Sequence, residues 1–265
     1  MTNYLNFFNN KVVVISGGSG GLGQAISQEL LSTSAKIASI DIEQKATSNN
    51  PNLLLLECNI TDPEAVNNAI NTVVTQFGKI DILINNAGIT HMSRIEDTSI
   101  ELINQIMQVN FMGSVLLTQA CLEQIKHNKG SLVAISSVAG FAPLYGRSAY
   151  SASKHAMEGF FSSLACELEE FGVQTNIIRP SFIQTRPELT AKVNQGVSSP
   201  GANKKNSAGN SLSSDVASRA ILKSIANKKP YLLLGKIARI AYALNKFLPK
   251  TYRKVMTKGA KEEFL

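Results

Sequence analysis

Cysteine is scarce in this chain. Its 265 residues hold three, Cys58, Cys121 and Cys166, an odd number, far apart and without C-x-x-C spacing. That argues against a disulfide framework or a zinc site and for a reducing, cytoplasmic compartment. No 18 consecutive residues are apolar, so no membrane-spanning helix is expected. The opening stretch MTNYLNFFNNKVVVIS lacks a basic region followed by a long apolar run, which predicts no signal peptide. Acidic residues are nearly missing from one region. Residues 216–265 carry 12 Lys+Arg against 2 Asp+Glu, a net +10, whereas residues 1–215 carry 14 against 17, a net −3. The overall +7 therefore belongs to the C-terminal part and points to an anionic partner surface. No helix-turn-helix, zinc motif or interleaved aromatic platform is present, so nucleic acid is not the expected partner. With 44% hydrophobic and 17% charged residues the chain can bury a core, which excludes global disorder.

Apolar patterning then gives an alternation of strands and helices. Strands are expected at 11–16, 36–41, 53–57, 80–88, 130–137, 173–180 and 231–234. Helices are expected at 22–33, at 63–78 with Thr61 or Asp62 as N-cap, at 100–127 with a break near Asn110, at 150–171 and at 215–227. Residues 186–214, rich in Ser, Asn, Gly and Pro, predict a mobile loop, and the polar connection 42–52 is too short for a full helix. The order implies an α/β fold, a parallel sheet of about seven strands with helices on both faces and a ligand crevice at the carboxyl ends of the strands. No internal repeat or domain boundary interrupts it.

SGGSGGLG, residues 16–23, lies between the first strand and the first helix. Glycines there allow a tight turn and let a pyrophosphate approach backbone N–H groups at a helix N-terminus. The bland alternative is a glycine-rich turn without a ligand. Asp41 ends the second strand, 18 residues after Gly23. A carboxylate so placed accepts hydrogen bonds from the adenosine ribose hydroxyls and repels a 2′-phosphate. Its neighbours Ile42 and Glu43 offer no cation, which favours NAD(H) over NADP(H). A solvated aspartate at a strand end is the alternative.

Tyr150 and Lys154, in YSASK, are i and i+4 on one helix face. Together with the glycine turn they resemble the short-chain dehydrogenase/reductase family from about Lys11 to Tyr231. The spacing of Ser16, Gly17, Gly21 and Gly23 is similar to the family's turn, with Ser16 where threonine is commoner. NNAG, Asn85 to Gly88, follows the fourth strand as it does there. Asn110 falls at the family's catalytic asparagine. Ser137, 13 residues before Tyr150, falls at its catalytic serine. RPSFIQT, residues 179–185, resembles its Pro-Gly segment. The resemblance implies a single-domain Rossmann-like, doubly wound sheet over 1–234, followed by a helical extension over 235–265. It implies cofactor contacts from Ser16, Gly17, Gly21, Leu22, Gly23, Asp41, Asn59, Ile60, Asn86, Ala87, Gly88, Tyr150, Lys154, Pro180, Ile183 and Thr185, the last two at the nicotinamide carboxamide. It also implies a homodimer or homotetramer through the long helices. Two departures stand out. Ser181 replaces a glycine near the nicotinamide, and Asn59 stands where an aspartate meets the adenine amino group.

The pair of side chains suits carbonyl chemistry. Tyrosine titrates near pH ~10, too high for acid/base work at neutral pH. Lowering it by two or three units takes roughly 3–4 kcal/mol of phenolate stabilisation, which a nearby ammonium and a positive nicotinamide can supply. By the resemblance, Lys154 also holds the ribose, Ser137 orients the substrate oxygen and Asn110 positions a relay water. An ordinary exposed Tyr/Lys pair remains the alternative for those two residues alone. The expected function is NAD(H)-dependent interconversion of a secondary alcohol and a ketone. The alternatives are an NADP(H)-dependent ketone reductase of ketosphingoid-base or ketoacyl type, an epimerase or dehydratase on the same fold, and a non-catalytic dinucleotide-binding sensor or scaffold.

In the tail, Ile237, Ile240, Ala241, Leu244, Phe247 and Leu248 repeat at helical spacing among lysines and arginines, and Pro249 separates two helices. Such a stripe either packs on the core or a partner subunit, or lies on an anionic membrane surface. The second case fits a lipophilic substrate (lipid, steroid or long-chain) in a pocket lined by Met92, Phe141, Leu144 and Phe182.

Overall fold

The computed structural model describes residues 4–44, 47–184 and 211–264, with side chains described as far as residue 259. Thr185 and residues 186–210 of the expected loop lie outside the described residues.

Seven parallel strands form the sheet: β1 Val12–Ser16, β2 Lys36–Asp41, β3 Leu53–Glu57, β4 Ile82–Asn85, β5 Ser131–Ile135, β6 Gln174–Pro180 and β9 Tyr231–Leu234. Their order is β3-β2-β1-β4-β5-β6-β9. All five residues of β1 are buried, as expected of a central strand covered on both faces. Side chains alternate across it. Val12 and Val14 share a core with Ala38, Ile40 and Leu83. Helices α2 (Pro63–Phe77), α4 (Gly113–His127) and α5 (Ser148–Leu168) cover that face. Val13, Ile15 and Ile37 point the other way, under α1 (Gly21–Leu30) and α6 (Ser214–Ala226). Each such buried Val, Leu or Ile stabilises the fold by roughly 1.5–3 kcal/mol relative to exposure.

Local chemistry fixes the element ends. Asp62, not Thr61, caps α2. Its Oδ1 accepts from Glu64 N at 2.9 Å and Ala65 N at 3.3 Å, and Pro63 supplies a first-turn residue without an N–H. Gly78, at φ +82°, ends the helix in the left-handed region. The strand expected over 80–88 is shorter, Ile82–Asn85. The next two N–H groups leave the ladder because the Ser16 hydroxyl takes both, from Asn86 at 3.0 Å and Ala87 at 3.1 Å. The helix over 100–127 does not break at Asn110. It widens from α3 (Ile100–Met107) through one π turn (Gln108–Met112) into α4. No helix forms among the described residues of 42–52. Instead Gln44 Nε2 donates to Ser39 O and Leu56 O, both at 2.9 Å, and bridges β2 to β3.

A small parallel ladder joins β7 (Ile183–Gln184) to β8 (Leu212–Ser213), returning the chain to the sheet's edge. After β9 come α7 (Lys236–Phe247) and α8 (Pro249–Phe264), with Pro249 at the junction. Among the described residues no helix is long and apolar enough to cross a membrane.

Candidate active site

The strand order reverses between β1 and β4, and a crevice opens at such a switch point. Ser16 closes β1 there. Its side chain is buried and its hydroxyl is committed to the NNAG backbone. Asn86 Nδ2 answers by donating to Ser16 O and Gly17 O, each at 3.0 Å. Ser16 therefore places the turn and does not itself face the crevice. Gly17 has φ +64°, and a Cβ on it would lie 2.8 Å from Ala87 Cα. A Cβ on Gly23 would lie 2.3 Å from Gly17 O. No other residue type fits at either position.

Gly20 is the N-cap of α1 and brings no side-chain acceptor to the first-turn N–H groups. Those donors, with the positive end of the helix, suit a pyrophosphate. Gly21, Leu22 and Gly23 could hold it through backbone, since the Leu22 side chain is buried in the core. Asp41 stands against the turn. Its Oδ2 accepts from Ser19 N at 2.9 Å and its Oδ1 from Ile42 N at 2.8 Å. The residues present thus fit a dinucleotide whose ribose lies beside Asp41. Two positions differ from expectation. Asn59 Oδ1 accepts from Thr61 N at 3.1 Å and Thr61 Oγ1 at 2.9 Å, so the oxygen expected at adenine is turned into a local loop. Ile60 is buried, and its side chain packs on Gly113, where a Cβ would meet it at 2.7 Å.

The reactive side chains meet at the ends of β4 and β5. The π turn presents the Asn110 side chain to the segment after β4. Its Oδ1 accepts from Ile89 N at 2.7 Å, and its Nδ2 donates to Ile89 O and Ser153 Oγ, both at 2.9 Å. Gly88 lies between Asn110 and Lys154: a Cβ there would be 3.2 Å from Asn110 Oδ1 and 3.7 Å from Lys154 Nζ. Helix α5 carries Tyr150 and Lys154 one turn apart. Lys154 is buried, donates to Ile135 O at 2.8 Å and sits 5.9 Å from the Tyr150 ring centroid. Ser137 caps the turn Val138–Gly140, its hydroxyl accepting from Ala139 N at 3.2 Å, and it lies near enough to Tyr150 to pull the phenol's pKa down. Asn110, Ser137, Tyr150 and Lys154 are thereby brought together. Pro180 and Ile183 flank the carboxyl end of β6.

Electrostatics in the protein alone run against the expectation for tyrosine. Burial pushes the Tyr150 phenol above its ordinary range, although the Ser137 hydroxyl and the charge of Arg147 pull it down. Lys154 is lowered to about 8 by burial, against the raising effect of Glu158. With its ammonium aimed at Ile135 O, the lysine does not by itself depress the phenol.

Several supporting residues escaped the motif reading. Ser153 Oγ links Asn110 to the Tyr150 carbonyl, which it meets at 2.8 Å. Its place three residues after Tyr150 on one helix was the available signal. Glu158, one turn beyond Lys154, accepts from Arg179 Nη2 at 2.6 Å and from Nε at 3.0 Å. That ion pair ties α5 to β6. Arg147 donates to Thr90 Oγ1 at 2.6 Å and contacts Met92 Sδ at 3.7 Å. Ser181, in place of glycine, turns its hydroxyl towards Gly235, where a Cβ would lie 2.4 Å away. Gly235, at φ +98°, makes the room.

A family model described as short chain dehydrogenase matches residues 11–196. The chain belongs to the short chain dehydrogenase family. It is an oxidoreductase with the family's Rossmann-like sheet. Among its relatives, the dehydrogenase/reductase SDR family protein 7-like of Anopheles gambiae is 35% identical over 96% of this chain and 84% of its own. The dehydrogenase/reductase SDR family member 7B of Mus musculus is 30% identical over 97% and 83%. Among solved structures, a short chain dehydrogenase from Burkholderia cenocepacia in complex with NADP superposes with TM-score 0.78. It is 21% identical and covers 94% of this chain and 98% of its own.

Proposed function

We propose that the chain interconverts a secondary alcohol and a ketone with NAD(H), on a lipophilic substrate. The observation that carries this is the gathering of Ser137, Tyr150 and the buried Lys154 just beyond β5, with Asn110 facing Lys154 across Gly88. Bound cofactor would supply or accept the hydride and add a positive nicotinamide in its oxidised form. Ser137 holds the substrate oxygen beside Tyr150. Tyr150 gives its proton to that oxygen in reduction and takes it back in oxidation. Burial raises the phenol in the protein alone and makes it a weaker acid, so the lowering that proton transfer at neutral pH needs would have to come with bound cofactor and substrate. Lys154 would hold the nicotinamide ribose, and Asn110, which faces it across Gly88, would position a water that reprotonates Tyr150 by way of the lysine.

Asp41 supports NAD(H): its carboxylate lies against the glycine turn where a 2′-phosphate would sit, and Ile42 and Glu43 bring no cation. The NADP in the Burkholderia structure favours the second reading, an NADP(H)-dependent ketone reductase. The lipophilic substrate is supported by Phe182, 56% exposed just beyond β6, and by Met92 beside Arg147. Phe141 and Leu144, also expected to line the pocket, pack with the C-terminal helices. A second copy of this chain would bind along α4 and α5, where Phe111, Leu122 and Phe160 line a surface groove.

A screen of ketones and alcohols, long-chain ones included, with NADH and NADPH side by side tests the reaction. We expect turnover with NADH preferred, and Tyr150→Phe to lose nearly all of it while still binding NADH. Turnover by the variant would sink the mechanism, and a preference for NADPH would decide for the second reading.

A further inference from the structure

Helices α7 and α8 are assembled inside out for packing. The residues they bury are mostly small: Ala238 and Ala241 are inward, with Tyr252 from α8, against Val138 and Ala142. Leu244 and Met256 pack against them, but four large ones are left outside. Ile240 is 64% exposed, Phe247 72%, Leu248 56% and Val255 56%. Ile240 and Phe247, seven residues apart, share one helix face. Cations border this stripe: Lys236, Arg239 and Lys246 along α7, then Lys250, Arg253 and Lys254 along α8. Residues 235–261 contain eight Lys+Arg and no Asp or Glu.

We propose that this face docks on an anionic lipid bilayer. Exposed large apolar side chains framed by a single sign of charge match the two components of such a surface, an apolar interior and an anionic plane. A second copy of the chain is the poorer occupant. A two-fold contact would set the cationic frame against itself. The docked face is joined to the active site. Asn245 Nδ2 donates to Phe141 O at 2.9 Å, and the Phe141 and Tyr242 rings meet edge to face at 5.4 Å. Phe141 lies four residues after Ser137. Docking therefore sets α7, which packs on the segment after Ser137 by its inner face, between that segment and the bilayer. Docking does not rest on the lipophilic substrate proposed above.

The test is flotation of the full-length protein with phosphatidylcholine vesicles, with and without about 30 mol% phosphatidylserine, at low salt and at about 0.5 M salt. The protein should float with the anionic vesicles at low salt and be released by high salt. Phe247→Glu with Ile240→Glu should lower the bound fraction at least about tenfold, and so should Lys250→Glu with Arg253→Glu and Lys254→Glu. Both variants should still bind NADH, which shows that they fold. Tyr150→Phe should float like the parent, so failed turnover and failed docking are separable. No flotation at low salt, or equal flotation of the folded variants, overturns the proposal. So does a Phe247→Glu chain that splits an oligomer while still floating, which would assign the stripe to a second copy.

Discussion

Asp41 and Asp81 are two carboxylates on neighbouring parts of one sheet with opposite tasks. Asp41 sits at the carboxyl end of β2, against the turn N–H of Ser19. On the proposed use of NAD(H), removing it would take away a ribose acceptor and the charge that opposes a 2′-phosphate. Asp41→Ala should therefore cut kcat/KM for NADH by about tenfold and narrow its advantage over NADPH, in parallel assays with both cofactors. Asp81 sits at the opposite end, 2.9 Å from Val12 N, 3.0 Å from Lys11 Nζ and 2.9 Å from Lys79 Nζ. Burial raises its pKa, but the Val12 N–H and the two lysines outweigh that and hold it below the usual carboxylate range. A depressed folded-state pKa means stability that is complete above the unfolded value of ~3.9 and lost as pH falls through the folded one. Urea midpoints measured from neutral pH downwards should therefore fall in that acid window. Asp81→Asn should lower the neutral plateau and flatten the fall. The sequence pointed to Asp41 because a distance along the chain from a glycine turn carries meaning. It was silent on Asp81, whose partner Lys11 lies 70 residues earlier and is brought to it only by the sheet.

At the scale of elements, the pair Glu158–Arg179 clamps α5, which bears the reactive tyrosine and lysine, to β6, which leads to Pro180. Both side chains are largely buried, at 11% and 14% exposure, and Arg179 also lies 4.5 Å from the Tyr231 ring. Glu158→Ala leaves a buried guanidinium without its carboxylate and should cost about 3–5 kcal/mol by urea unfolding. Replacing both with apolar residues of similar size should cost less. Boundaries of most elements were legible in the sequence. The strands at 36–41, 53–57 and 231–234 match residue for residue, because β-branched or leucine runs ended by polar residues leave little choice. The end of β4 was not legible. Whether Asn86 and Ala87 extend the strand depends on a hydroxyl 70 residues earlier in the chain. Nor could composition tell a broken helix from a widened one at Asn110.

For the whole molecule, the charge asymmetry read from composition has a location: eight of the 12 cations of residues 216–265 lie along α7 and α8, and the other four on or just after α6. On α4 and α5, Phe111 and Phe160 pack edge to face at 5.9 Å beside an open groove whose one charged lining residue is Glu167. The two surfaces should therefore respond differently to salt. Phe160→Glu should shift the sedimentation coefficient towards that of one 28.6 kDa chain, by burying a charge at an apolar contact. High salt should leave assembly intact, since an apolar contact is not screened. The sequence could say that the tail was amphipathic. Only the packing of Ala238 and Ala241 against the segment after Ser137 shows which of its faces is outward.

The π turn at Gln108–Met112 amounts to one surplus residue in an otherwise regular rod. Each residue of an α-helix advances the rotation by about 100°, so the surplus offsets the faces of α3 and α4 by that angle. Deleting a single residue within 108–112 would restore an unbroken α-helix, and a better one by hydrogen-bond count. It would also turn Asn110 away from Ile89 and Ser153. On the role proposed for Asn110, the most helical version of this segment would be the least active, and an insertion that secondary-structure propensity disfavours is the means by which the two halves are phased.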